Sequence, residues 1–386
     1  MRGRCLARLV FAMGTAVTGV AGCSDAAEHQ GILAADTGAL DGAERLADAV
    51  AAAGVDAADS LAPTDARLDV VPDAKILDAP LPIDVTPACV AYALATCAGL
   101  LVQPLPGKTK FPIVLVHGMG GFEKLGVLEY WFGVPSMLRK AGYAVFVTVQ
   151  DPFNSSDVRA QQLATWVDRV RACTCADKVN LVAHSQGGRD ARELVTTLGY
   201  ASQVASVTTI ATPHGGTKVA DALLGWLPGP DAGLLDVLAQ FAGQLYTKPL
   251  QDAKLKGALE ACSEKLAPAW NVAHPDAPGV QYWSWAGLSG LTAKGKPACD
   301  GGDVPAPANG DIVEPGLQAS WLFLGGGTVP NDGLVPVESA KWGHFRGCVR
   351  ADHMDEVGQI AGVVDGFDHL KFYRDDIAGF LASEGL

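Results

Sequence analysis

Between Ser24 and Pro87 this chain of 386 residues has no Phe, Trp or Tyr. Seventeen alanines and thirteen acidic residues dominate that stretch, against three basic ones, Arg45, Arg67 and Lys75. Without large apolar side chains it cannot bury enough surface to offset its chain entropy, so residues 24–87 read as a disordered acidic tether. Positive charge is scarce throughout, and the formal net charge is −13. The tether holds −10 of it and the first 23 residues +3, which leaves −6 for the remainder. With no basic stripe, binding to nucleic acid is excluded. No internal repeat is present, and the apolar run Leu9 to Val20 is too short to serve as a stop-transfer helix. Cys173-x-Cys175 lacks the four ligands that a zinc site normally needs.

What is present begins with an export signal. Arg2, Arg4 and Arg8 form a basic start and Leu9 to Val20 the apolar segment of a signal peptide. Val20-Ala21-Gly22-Cys23 resembles a bacterial lipobox, which implies acylation of the Cys23 thiol. Ser24, in place of aspartate, implies sorting to the outer membrane, the alternative being plain secretion. More than one acyl chain would anchor the protein stably in a membrane.

From about Ala88 to the C-terminus the composition changes to one rich in Val, Leu, Trp and Gly, enough for one large domain. Continuous apolar runs at Phe111 to Val116, Ala144 to Val149, Lys178 to Val182, Val204 to Ile210 and Gln281 to Ala286 predict strands. Helical periodicity lies between them, for example Val158, Leu163, Trp166, Val167 and Val170. Continuous strands alternating with helices predict an α/β fold, a mostly parallel sheet flanked by helices on both faces.

Ser185 sits in Ala183-His184-Ser185-Gln186-Gly187-Gly188, between a predicted strand and a predicted helix. A tight strand-to-helix turn lifts the hydroxyl clear of the sheet, the nucleophile elbow of an α/β-hydrolase. Ala183 stands where the pattern G-x-S-x-G has its first glycine. A serine hydroxyl needs a base, and the base an orienting carboxylate, in the chain order Ser, Asp or Glu, His. Five histidines follow Ser185. His214 comes directly after a strand, ahead of any suitable acid, and reads as structural; His274 lies in a loop. Asp332, in Asn331-Asp332-Gly333 past the apolar run Trp321 to Leu324, is the favoured acid, although such a turn can also use its carboxylate on its own backbone. His353 then follows in the required order.

These segments carry a resemblance. Val114 to Met119, Val127-Leu128-Glu129-Tyr130-Trp131, Lys178 to Gly188, Ser206 to His214, Tyr282 to Gly287, Asn331-Asp332-Gly333 and His353-Met354-Asp355-Glu356 together resemble the secreted, foldase-dependent bacterial triacylglycerol lipases, from about Phe111 onward. The resemblance implies a triad of Ser185, Asp332 and His353, with His353 preferred over His344 and His369. It implies oxyanion donors at Met119 and Gln186, a lipid or acyl ester substrate and a foldase as possible partner. It further implies a structural calcium ion held by Glu314, Asp355, Gln359 and Val363, and no organic cofactor. Glu314 stands where the family has aspartate.

Residues 217–269, with leucines from Leu223 to Leu245, predict a helical cap or lid over the site, because so much apolar surface needs cover. Outside Cys5 and Cys23, seven cysteines fit an oxidising compartment and leave one unpaired. Cys299 with Cys348, and Cys89 with Cys97, are the expected bridges. The expected activity is a serine carboxylic ester hydrolase working through an acyl-serine intermediate. A short-chain esterase or polyester depolymerase is the alternative chemistry, and a non-catalytic lipid- or partner-binding surface lipoprotein the alternative of another class.

Overall fold

The computed structural model describes residues 97, 107–125, 128–225, 253–292, 299–305, 307–308, 311–359 and 366–386. All lie in one compact unit, Ala79–Leu386. The expected signal peptide, the tether with Cys23 and most of the lid leucines lie outside the described residues.

In chain order the elements are β1 (Ile113–Val116), the short antiparallel pair β2 (Lys124–Leu125) and β3 (Leu128–Glu129), α1 (Val134–Lys140), β4 (Val145–Val147), α2 (Ser156–Thr174), β5 (Val179–His184), α3 (Gln186–Thr196) and β6 (Val204–Ile210). There follow α4 (Lys218–Leu223), α5 (Ala253–Ala261), α6 (Ala267–Ala273), β7 (Gln281–Gly287), β8 (Ser289–Gly290), β9 (Asp311–Ile312), α7 (Gln318–Phe323) and β10 (His344–Val349). A helical stretch over 369–383 closes the chain.

Six strands form one sheet in the order β10-β7-β6-β5-β1-β4, with every neighbouring pair parallel. Side chains alternate between its faces. Ile113 and Leu115 enter one core cluster with Trp131, Val182 and Trp285. Val114 and Val116 enter the other with Leu163, Leu181 and Leu194. Both faces are dry, which is why these strands read as unbroken apolar runs.

All five predicted strands are present. The sixth, β10, was not predicted from the sequence, since His-Phe-Arg-Gly-Cys-Val at a sheet edge has neither a continuous nor an alternating pattern. The apolar run before Asp332 is part of a helix, α7. On α2 the buried stripe is Ser156, Arg159, Ala160, Leu163, Val167 and Val170, so Val158 and Trp166 lie beside it rather than in it. The expected Cys89–Cys97 staple is corrected: Cys97 bonds Cys173, 76 residues away, at the end of α2. The Cys299–Cys348 bridge is present, Cys175 is also disulfide-bonded, and Cys262 is free and buried.

Candidate active site

The site forms beyond the C-terminal ends of the parallel strands, where an open α/β sheet presents its loops. Ser185 follows β5 directly and holds φ 55° and ψ −132°, a conformation costly for any residue with a Cβ. Its surroundings enforce that turn. The Ser185 N–H donates to Ile210 O at 2.9 Å, and its carbonyl accepts from the Thr212 hydroxyl at 2.8 Å. A Cβ on Gly187 would lie 2.6 Å from both Val116 O and His117 O, so only glycine lets α3 come this close to β1.

His353 follows β10 and is 2% exposed. Its Nε2 stands 2.9 Å from Ser185 Oγ, and its Nδ1 stands 2.9 Å from Asp332 Oδ2. Asp332 divides its two oxygens between tasks. Oδ1 accepts the N–H groups of Leu334 and Val335 at 2.8 and 2.7 Å, while Oδ2 faces the imidazole. The two readings of the Asn-Asp-Gly turn therefore hold together. With Nδ1–H donating to the carboxylate, Nε2 is left to accept from the serine hydroxyl.

Each remaining histidine after Ser185 has its own partners. His214 contacts Thr209 and Arg192 and stacks on Trp342. His274 pairs with Glu193, His344 with Asp303, and His369 with the Phe132 carbonyl.

Gln186 follows the serine directly, and Met119 lines the same cleft as Ser185. Gln186 opens α3, where first-turn N–H groups have no intrahelical acceptor. Met119 follows His117-Gly118 in the loop after β1. The carbonyl of Gly118 is held by His117 Nδ1 at 2.8 Å and by Arg159 Nη2 at 3.3 Å. Because a trans peptide points its C=O and N–H oppositely, this turns the Met119 N–H away from Arg159. Arg159 also donates to His117 O at 2.7 Å and to Asp190 Oδ2 of α3 at 2.7 Å, with both side chains fully buried. One guanidinium thus fixes the β1 loop relative to the nucleophile helix. His117 accepts from the Gln150 N–H through Nε2, and burial, then the nearby Arg159 charge, lower its pKa to about 3. The sequence analysis missed Arg159; a lone arginine on the apolar stripe of α2 was the available signal.

Below Ser185 lies an apolar cleft of about 530 Å³ including its open mouth, lined by Met119, Leu223, Leu259, Cys262, Val335 and His353 among others. Leu223 and Leu224, from the predicted lid, pack beside Leu255 and Leu259 of α5.

A second cluster adjoins the histidine loop. Ligand oxygens of Asp311, Asp352 and Asp355 lie within 4.8 Å of one another, all buried. Of the residues expected around a cation, only Asp355 is in this group. Glu314 donates its backbone N–H to Asp352 Oδ2 at 2.7 Å, Gln359 donates its own to Met354 O, and Val363 lies outside the described residues. Burial, then mutual repulsion, raises the pKa values of Asp352 and Asp355. Asp355 Oδ1 is buried and accepts no hydrogen bond. Three crowded carboxylates with an unused oxygen are what a hard cation requires. Asp311 was missed because Glu314, three residues on, was matched to the family's aspartate, and Asp352 because it stands directly before the histidine. In a second possible metal-holding group, His184, His353 and Glu356, His184 Nε2 already hydrogen-bonds Glu356 Oε2 at 2.8 Å and His353 Nδ1 lies 3.9 Å from the same oxygen.

Residues 112–296 match the family model of the alpha/beta hydrolase fold. The chain is 30% identical over 301 residues to a triacylglycerol lipase of Vibrio cholerae, covering 72% of this chain and 90% of that protein. It is also 30% identical over 324 residues to a triacylglycerol lipase of Burkholderia plantarii, covering 72% and 89%. Among solved structures, Staphylococcus hyicus lipase has a TM-score of 0.51 at 18% identity, covering 73% of this chain and 98% of its own, a likeness of fold. The order of strands, the elbow and a similarity that covers 72% of this chain and about nine-tenths of these relatives lead to one assignment: the chain belongs to the bacterial triacylglycerol lipases of the α/β-hydrolase family, which are carboxylic ester hydrolases.

Proposed function

We propose that Ser185, His353 and Asp332 are the catalytic triad and that the enzyme hydrolyses triacylglycerols and related long-chain esters through an acyl-serine. The observation that carries this reading is the unbroken hydrogen-bond sequence from Ser185 Oγ through both nitrogens of His353 to Asp332 Oδ2. His353 takes the serine proton as Oγ attacks the ester carbonyl, and the resulting imidazolium is stabilised by Asp332. The same proton passes to the departing alcohol, and His353 then activates water against the acyl-serine. The backbone N–H groups of Met119 and Gln186 receive the charge that develops on the carbonyl oxygen. The apolar cleft suits an acyl chain, which favours lipid esters.

Calcium is the cation proposed for the carboxylate cluster, held by Asp311, Asp352 and Asp355 with Glu314 alongside. A bound calcium ion would supply charge that neutralises these buried groups. Asp352 itself contributes organisation, since its Oδ1 accepts the N–H groups of Met354 and Asp355 on the residues after His353. Export, acylation at Cys23, outer-membrane attachment and assistance by a foldase complete the proposal. Among the described residues, no helix is long and apolar enough to cross a membrane.

The test is hydrolysis of p-nitrophenyl esters of rising chain length and of emulsified triolein, by wild type, Ser185→Ala and chelator-treated enzyme. A rate that peaks at long chains and rises at the emulsion threshold supports a lipase. Activity confined to short soluble esters would favour the esterase alternative, and activity retained by Ser185→Ala would remove that serine from its role.

A further inference from the structure

Tyr130 and His184 have no part in the triad, yet both are buried beside it, at 2% and 1% exposure. The Gly118 N–H donates to Tyr130 Oη at 3.0 Å. With that lone pair occupied, the phenol proton is directed to the next acceptor, His184 Nδ1, at 2.7 Å. A ring nitrogen that accepts leaves the imidazole proton on the other one, and His184 Nε2 faces Glu356 Oε2 at 2.8 Å. Burial, then the neighbouring His353, keeps the His184 pKa well below its ordinary value, which suits a neutral ring. The hydrogen bonds therefore run in one direction from the loop after β1, through Tyr130 and His184, to the carboxyl of Glu356 three residues past His353.

We infer that Tyr130 and His184 are positioning residues for the oxyanion hole, holding the Gly118 peptide so that the Met119 N–H points at the ester oxygen. The inference rests on the proposed triad and oxyanion donors. Its geometric basis is that the His117–Gly118 peptide is pinned at both ends. Arg159 holds its carbonyl at 2.7 Å and Tyr130 holds its N–H at 3.0 Å. No side chain fits on the glycine between them, since a Cβ there would lie 2.6 Å from Ser185 Cβ and 2.9 Å from Tyr130 Oη. Removing the hydroxyl leaves a buried N–H without an acceptor, a penalty that the loop can relieve by rotating. Rotation at Gly118 turns the next peptide, the one that carries the Met119 N–H.

The experiment compares an ester with its thionoester, in which sulfur replaces the carbonyl oxygen, using active-site-titrated enzyme. Sulfur accepts hydrogen bonds weakly, so the ratio of the two kcat/KM values reads the alignment of the oxyanion donors and is independent of the folded fraction. Tyr130→Phe keeps the ring that packs on Trp131 and Phe122 and loses only the hydroxyl. Its ester kcat is expected to fall on the order of tenfold with little change in KM, less than loss of a whole donor. The ester-to-thionoester ratio should fall with it. His184→Leu should lower the ratio in the same direction, and the double variant should be no worse than the more damaged single one, as for residues that act as a unit. Equal falls on both substrates with an unchanged ratio, or losses that simply add, would overturn the inference. A wild type that fails to prefer the ester would instead overturn the proposed oxyanion hole, and this assignment with it.

Discussion

At the scale of single residues, the site depends on a few atoms whose orientation is fixed by buried partners. Ser185→Ala removes the attacking oxygen and should lower kcat by on the order of 10⁴- to 10⁶-fold, measured on a soluble ester against an unchanged melting temperature. Arg159 makes a sharper case, because its fork reaches Asp190, His117 O and Gly118 O at once. A lysine ammonium keeps the charge but cannot span three acceptors in one plane. Arg159→Lys should therefore retain the fold and lose roughly 10- to 100-fold in kcat, a fraction of what a missing oxyanion donor costs. An unchanged kcat would separate Arg159 from loop positioning. That Ser185, Asp332 and His353 belong together was legible in the sequence because each sits in a short local motif, and the structure brings the three side chains into hydrogen-bonding distance. Arg159, Tyr130 and Asp311 were not, since their roles exist only where distant segments meet.

At the scale of elements, the parallel strands were legible because burial on both faces writes them as continuous apolar runs. Strand β10 was not, because half of an edge strand faces outward and its pattern breaks at Arg346 and Gly347. Yet β10 delivers His353, and the end of the strand that leads to it is tied by Cys299–Cys348. The carboxylate cluster ties the same loop to β9 through the Asp352 N–H, which donates to Asp311 Oδ2 at 3.1 Å. Without the proposed cation, these buried like charges would repel or bind protons. Chelation should lower the melting temperature and slow hydrolysis together. Asp355→Asn should abolish the stabilisation gained on adding calcium, as read by thermal unfolding with and without the ion. A second element-scale expectation concerns Cys97–Cys173, which closes 76 residues around β1, β4 and most of α2. Its loss by Cys97→Ala with Cys173→Ala should cost about 2–4 kcal/mol in denaturant unfolding, with kcat on soluble esters nearly unchanged in the folded fraction.

At the scale of the whole molecule, the proposed lipid attachment at Cys23 lies far along the chain from the proposed hydrolytic site. Every residue proposed to touch the reacting ester lies between Met119 and His353, while 64 residues of aromatic-free sequence separate Cys23 from position 88. Attachment at Cys23, as proposed, would therefore leave the chemistry untouched. Two consequences follow for the intact chain. Cys23→Ala should move activity from the membrane fraction to the soluble fraction after export, with kcat and KM on a soluble ester unchanged. Shortening residues 24–87 by half in the acylated protein should likewise leave soluble-ester turnover unaltered, because no proposed site residue is touched. It should reduce only the hydrolysis of ester presented on separate vesicles, since the span that the domain can reach contracts. A fall in soluble-ester kcat on shortening would mean that the acidic segment takes part in the site rather than merely carrying it.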